Sequence, residues 1–271
     1  MKLAALAATM VIVGSPLASG VNYLQAHELG SGAFAEPGGS GYPQLTAWAV
    51  LGLRAAGASP RAAAAGYLVA HEAELTHATD IALVLLAEAA LRQSTARLVP
   101  RLRSLAERTG AIGGLVNATA WSVLALRAAG APVPRRTLAF LLSRQGRAGG
   151  WGWSGPPADS NDTAAALEAL CALQARGRPV ARGLRFLSRF RNGDGGFGLT
   201  LGAGSDAQST AWVIQAFLAA GRRPPRGSLA YLRRLQRPDG SFRYSARYLT
   251  TPLWVTAQVL PALAREPFPL R

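Results

Sequence analysis

The sequence predicts an all-α fold: six helix-pair repeats closed into an α6/α6 toroid, two concentric layers of six helices. Three observations predict it. Prolines suited to the first turn of a helix recur as Pro16, Pro60, Pro100, Pro134, Pro179 and Pro225, each opening a short apolar-periodic stretch. An offset series, Thr46, Thr79, Thr119, Thr163, Thr210 and Thr256, begins Ala/Leu-rich segments at spacings of 33 to 47 residues. The two series also differ in polarity: the proline-led segments carry arginines such as Arg101, Arg103, Arg185 and Arg233, whereas the threonine-led ones are apolar on nearly all sides.

In chain order the pairs open at Pro16 and Thr46, Pro60 and Thr79, Pro100 and Thr119, Pro134 and Thr163, Pro179 and Thr210, and Pro225 and Thr256. Each threonine is expected to cap or open its helix, and Gly57, Gly130, Gly177 and Gly221 stand where a helix C-terminus favours glycine. One such pair cannot bury both apolar faces, so neighbouring pairs must stack. The arginine-bearing helices belong outside and the apolar ones inside. Six units suit a closed ring better than an open solenoid.

Composition bounds the function. The 271 residues are 49% hydrophobic and 16% charged, enough for a large core. One cysteine excludes an internal disulfide framework and a multi-thiolate zinc site. The balance of 29 basic to 14 acidic residues gives a net charge of +15, with Lys2 the only lysine. The arginines are spread over the repeats instead of gathered in one patch, so nucleic acid is not an expected partner.

At the N-terminus, Met1 and Lys2 precede an apolar run from Leu3 to Val13, followed by Ala18, Ser19 and Gly20, the pattern of a short secretory signal over residues 1–20. Residues 15–28 also match residues 59–72, so this segment overlaps the first repeat of a toroid domain spanning 15–271. The expectation is export to the cell envelope or medium, with a cytoplasmic location if the run is instead an uncleaved first segment. No later window has the ~20 apolar residues of a membrane-spanning helix.

Glycine-aromatic loops separate the helices of several pairs: Gln145-Gly146-Arg147-Ala148-Gly149-Gly150-Trp151, Asn192-Gly193-Asp194-Gly195-Gly196-Phe197, Gln236-Arg237-Pro238-Asp239-Gly240-Ser241-Phe242, and a weaker Gly30-Ser31-Gly32-Ala33-Phe34. They resemble the glutamine-tryptophan motif of the prenyltransferase and squalene oxidase repeat family, which includes squalene and oxidosqualene cyclases and protein prenyltransferase β subunits. The resemblance covers the chain from about Pro16 to Leu263 and implies an α6/α6 toroid. The aromatics Trp151, Phe197 and Phe242 are expected to plug gaps between repeats.

For chemistry, the strongest candidate is Asp159-Ser160-Asn161-Asp162-Thr163-Ala164. It resembles the Asp-x-Asp-Asp-Thr-Ala stretch of squalene cyclases, whose middle aspartate protonates the substrate. Asn161 occupies that position here, and an amide is not a useful general acid. Asp159 and Asp162 remain as weak catalytic candidates; a carboxylate at a helix start is expected to be a stabilised anion and a poor proton donor. Asp206 recurs one repeat later, which favours capping. A prenyltransferase-type zinc site needs a histidine after the cysteine, but His27, His71 and His77 all precede Cys171, so no metal and no cofactor is expected.

With parallel inner helices, Gln44, His77, Asn117, Asn161, Gln208 and Trp254 would ring one mouth, above positive helix ends that favour an anionic ligand. Trp48, Trp121 and Trp212 share one repeat position and either line a lumen or fill the space between the layers. The expected function is an exported, non-catalytic repeat protein that binds an isoprenoid, lipid or anionic envelope ligand, or a partner protein, at its mouth. The alternative is an isoprenoid cyclase- or prenyltransferase-like enzyme using the Asp159–Asp162 loop.

Overall fold

The computed structural model describes residues 15–270. Among them twelve α-helices alternate between two layers. The outer layer is α1 (Pro16–Ala26), α3 (Ala62–Ala70), α5 (Leu98–Ser104), α7 (Thr137–Ser143), α9 (Arg178–Ser188) and α11 (Ser228–Arg234). The inner layer is α2 (Pro43–Ala55), α4 (Ala78–Ala90), α6 (Val116–Ala128), α8 (Ser160–Ala172), α10 (Ala207–Ala219) and α12 (Pro252–Ala264). Every inner helix has 13 residues and is therefore about 20 Å long.

The inner helices contact one another in order, α2 on α4, α4 on α6 and onward, and α12 returns to α2, so the ring closes. Outer helices sit over the seams: α3 touches α2 and α4, α9 touches α8 and α10, and α1 touches α12 and α2. The inner helices run parallel, because the C-terminal ends of α2, α6, α8 and α10 line one common cavity, at Arg54, Arg127, Cys171 and Leu218. The layering follows from burial: α6 buries eleven consecutive residues from Val116 to Leu126, whereas α3 buries only Ala64 and Leu68.

The repeat threonines do not cap. Each lies inside the first turns of an inner helix, and five of them latch the preceding glycine-aromatic loop. The backbone N–H of Phe34, Ile112, Trp151, Phe197 and Phe242 donates to Oγ1 of Thr46, Thr119, Thr163, Thr210 and Thr256 at 2.9 to 3.0 Å. Thr79 follows a connection without such a loop and has no equivalent bond among the described residues. The N-cap residues whose side chains cap are Ser15 on α1, Asp159 on α8 and Asp206 on α10, the last with its carboxyl pushed up to about 6 by burial.

The loop aromatics are packing groups: Trp151, Phe197 and Phe242 are fully buried. Gln236 Nε2 donates to Gly240 O at 3.0 Å and to Pro16 O at 2.7 Å, tying the last repeat to the first; Gln145 bonds Gly149 O and Pro179 O in the same way. Gly240, at φ 89°, rests against the backbone of Ser19 in α1, where a side chain has no room.

Outer-layer arginines also serve the loops. Arg182 donates to Gly146 O and Arg147 O, and Arg234 donates to Asp194 O, so part of the basic surplus is structural. His27 and His71 each place Nδ1 2.8 Å from the carbonyl four residues earlier, at the ends of α1 and α3. The apolar run of the expected signal lies outside the described residues; Ala18, Ser19 and Gly20 belong to α1, with Gly20 against Leu260 of α12. Among the described residues no helix is long and apolar enough to cross a membrane.

Candidate functional site

The N-terminal mouth is built by a relay of backbone contacts. Asn117 N–H donates to Trp153 O, Ser160 N–H to Leu199 O, and Ala207 N–H to Tyr244 O, so the starts of α6, α8 and α10 are each held by the loop that leads into the next inner helix. Glu36, in the loop before α2, completes the series by accepting from Leu253 and Trp254 N–H at 2.8 and 2.9 Å. These bonds consume helix N–H groups that would otherwise be free. Three of the six inner helices are capped by carboxyls, Asp159, Asp206 and Glu36, which corrects the expectation that this mouth favours an anion.

The ring residues fall where their spacing placed them. Gln44, Asn117, Asn161 and Gln208 are each second in their helix, Trp254 is third in α12, and His77 immediately precedes α4. His77 is exposed, with Nδ1 3.1 Å from Thr76 Oγ1 and 3.5 Å from Asp80 Oδ2. Asn161 is half-buried and accepts from Ser160 Oγ at 3.2 Å.

Below this rim the tryptophans meet across the axis. Trp48 of α2, Trp121 of α6 and Trp212 of α10 come from alternate inner helices, which are not neighbours in the ring. Their ring centroids nevertheless lie 5.3, 5.4 and 6.2 Å apart. Only side chains aimed at the central axis can do this, so these residues occupy the lumen and do not fill the space between layers. Trp254 joins at 6.0 Å from Trp48, and Trp212 Nε1 donates to Gln258 Oε1 at 3.1 Å. The π faces of such a cluster stabilise apolar or cationic groups.

Asp162 is the acidic group at the rim. Asn117 Nδ2 donates to its Oδ1 at 2.6 Å, and Asp159 Oδ1 accepts from its backbone N–H at 2.8 Å. Asn117 stands one turn before Trp121 on α6, so the pair lies directly over the tryptophan cluster. Burial holds the Asp162 carboxyl far above the ordinary carboxylate range; the neighbouring Asp159 carboxyl raises it further, and the Asn117 bond offsets only part of this. The expectation of a stabilised anion is therefore corrected: desolvation outweighs the helix end.

At the opposite mouth a cavity of about 910 Å³ is lined by the ends of the inner helices and by the chain after α12. Glu168, wholly buried on α8, accepts from Phe268 N–H at 3.0 Å, and burial pushes its carboxyl up to about 8. Neither residue was singled out from the sequence. A lone acid in the apolar run Ala166-Leu167-Glu168-Ala169-Leu170 was the available signal for Glu168; Phe268 gave none. Cys171 lines the same cavity as a buried thiol, pushed up to about 11 by burial. Among the described residues no cluster of three or more potential ligands could hold a metal.

No protein-family model matches the sequence. The sequence is 39% identical over 74 residues to drimenyl diphosphate synthase from Streptomyces showdoensis, a stretch that covers 26% of this chain and only 14% of that enzyme. A protein from Actinoplanes superposes with a TM-score of 0.71 at 23% identity, covering 93% of this chain and 98% of the other. The type II terpene cyclase MstE from Scytonema superposes at 0.70 with 15% identity, covering 92% of this chain and 96% of the other, and at 0.68 as a variant in complex with its substrate, geranylgeranyl dihydroxybenzoate. The ent-copalyl diphosphate synthase from Streptomyces platensis superposes at 0.59 with 20% identity, over 82% of this chain and 50% of the enzyme.

These likenesses overturn the expectation of a non-catalytic binding protein, since the neighbours include cyclases, one with its substrate bound. MstE is covered over 96% of its length by this chain. The chain has the α/α toroid fold of the type II terpene cyclases.

Proposed function

We propose that this protein is a terpene cyclase-like enzyme that protonates an isoprenoid chain at the N-terminal mouth, with Asp162 as general acid. The supporting observation is the buried Asp162 carboxyl, held neutral by burial beside Asp159 and oriented by Asn117 above four tryptophans. Asn117 occupies Oδ1, which leaves Oδ2 to carry the proton. Transfer of that proton to a carbon of a C=C bond breaks the O–H bond and uses the π pair to form a C–H bond. The resulting carbocation is attacked by the next C=C bond, and loss of a proton from carbon ends the sequence, so the product is an isomer of the substrate. Trp48, Trp121, Trp212 and Trp254 would stabilise the passing positive charge.

The test is incubation with farnesyl diphosphate, geranylgeranyl diphosphate and squalene in D2O, followed by mass analysis of the extract. The expected product carries one carbon-bound deuterium and is absent with Asp162→Asn. Turnover that survives Asp162→Asn, or no product from any of the three classes, would sink this reading. Its location in the cell follows from the same protein in fractionated cells: export gives a mature chain in the envelope or medium.

A further inference from the structure

After α12 the chain reverses at Arg265, which adopts a left-handed conformation at φ 62°, with Glu266 N–H donating back to Pro261 O at 3.0 Å. The following Pro267-Phe268-Pro269 then enters the C-terminal mouth. Phe268 is 3% exposed, and its ring stands 6.1 Å from Trp48 and 6.0 Å from Trp121. It is the one ring in this aromatic column that does not come from an inner helix. Both flanking residues are prolines and lack an N–H, so this tripeptide has a single backbone donor. That donor meets Glu168, the wholly buried carboxyl of α8.

We propose that residues 265–270 form a removable stopper: seated, they separate the tryptophan column from the cavity at the C-terminal face, and withdrawn, they open the lumen there to an apolar chain. Three features carry this. The segment contributes no helix to the ring, so its departure breaks no contact between inner helices. Its anchorage is small, the buried Phe268 ring, the partly buried Leu270, the Glu266 bond to Pro261 and the one buried hydrogen bond to Glu168, against the conformational freedom that the released segment regains. The cavity of about 910 Å³ is lined on one side by this segment and on the other by Arg54, Ala128, Cys171 and Ala219, so withdrawal extends it to the faces of Trp48 and Trp121 that Phe268 covers. Glu168 loses the Phe268 N–H on withdrawal but gains water from that cavity, which keeps the open state accessible. The proposal stands on this geometry and does not depend on the cyclase reading.

The test uses the full chain and one ending at Glu266. Hydrogen exchange followed by mass spectrometry reads the Phe268 amide cleanly, because both adjacent residues lack an N–H. It should exchange at least tenfold faster than the amides of α8 in the full chain. Shortening the chain should raise the acrylamide quenching of tryptophan fluorescence at least twofold, with helicity retained, because Phe268 covers Trp48 and Trp121. A Phe268 amide that exchanges only together with α8, or unchanged quenching, would overturn the proposal. Should the shortened chain fail to fold, Phe268→Ala is the second variant; loss of fold there too would make the segment part of the core and end the idea.

Discussion

Asn117 Nδ2 lies 2.6 Å from Asp162 Oδ1, joining α6 to α8 at the rim of the inner ring. The two residues are 45 positions apart in the chain, one repeat; Gln44, Asn161 and Gln208 share the register of Asn117, whereas the register of Asp162 otherwise holds Leu45, Ala78, Ala118, Ser209 and Val255. This bond fixes which oxygen of a buried carboxyl is free, and it makes Asp162 unlike the other rim groups.

Removing the acid should abolish chemistry without loss of fold. Asp162→Asn is expected to lower turnover of an isoprenoid substrate by at least ~10²-fold, the scale of a positioned general acid. Asn117→Ala leaves the carboxyl in place but unoriented, so a smaller loss of kcat with a shifted pH profile is expected. Steady-state rates of both variants, with circular dichroism to confirm folding, check this.

The pH dependence of turnover has a defined sign. An acid whose carboxyl is raised by burial is protonated and competent through neutral pH, and activity is lost as pH climbs past the raised value. The alkaline limb is therefore expected to belong to Asp162, and the acid side should be flat down to the point where the fold itself responds. A rate profile that instead rises with pH would exclude Asp162 as proton donor.

Stability should fall with alkalinity. Glu168 is pushed from 4.5 in a free chain to about 8 in the fold, so the folded state holds a proton that the unfolded chain releases in that window. Its favourable contribution is complete below about pH 4.5 and lost as pH rises through about 8, a slope of at most ~1.4 kcal/mol per pH unit from this group. Asp162 and Glu88 are raised in the same sense by burial and add to it. Melting curves from pH 5 to 9 should show the decline, and Glu168→Gln should make it shallower while keeping an acceptor for Phe268 N–H.

The loop latches predict unequal effects at equivalent positions. Thr163→Val strands the buried N–H of Trp151 and is expected to cost about 1–3 kcal/mol. Thr79→Val meets no loop amide and should cost well under 1 kcal/mol by the same reasoning. Chemical denaturation of the two variants compares them directly.

The lumen tryptophans are expected to be structural as well as functional. Trp121 contacts Trp48, Trp212 and Phe268, so Trp121→Ala should cost about 3–5 kcal/mol through the cavity it leaves. A conservative Trp121→Phe should retain most of that stability, and its activity then reads the contribution of the indole alone.

The repeat pattern was legible in the sequence because it follows from local physics: proline and glycine restrict the backbone wherever they occur, and helical periodicity sets which faces need cover. That determined twelve helices, two layers and the packing role of Trp151, Phe197 and Phe242. It also placed Gln44, Asn117, Asn161 and Gln208 on one rim, since equal positions in parallel repeats share a level. Only the tertiary structure decided what those positions do. The threonines were expected to cap or open their helices because that is the local use of a hydroxyl, whereas the partners of five of them are loop amides seven to fourteen residues away, brought close by folding. Asp162 looked like a stabilised anion because burial is not written in its neighbours; its carboxyl is raised by burial and by Asp159 held beside it, against the opposing bond from Asn117. Trp48, Trp121 and Trp212 left two readings open until ring closure aimed them at a common axis. Glu168 and Phe268, one hundred residues apart, meet only because the last segment turns back into a ring that the rest of the chain has already closed.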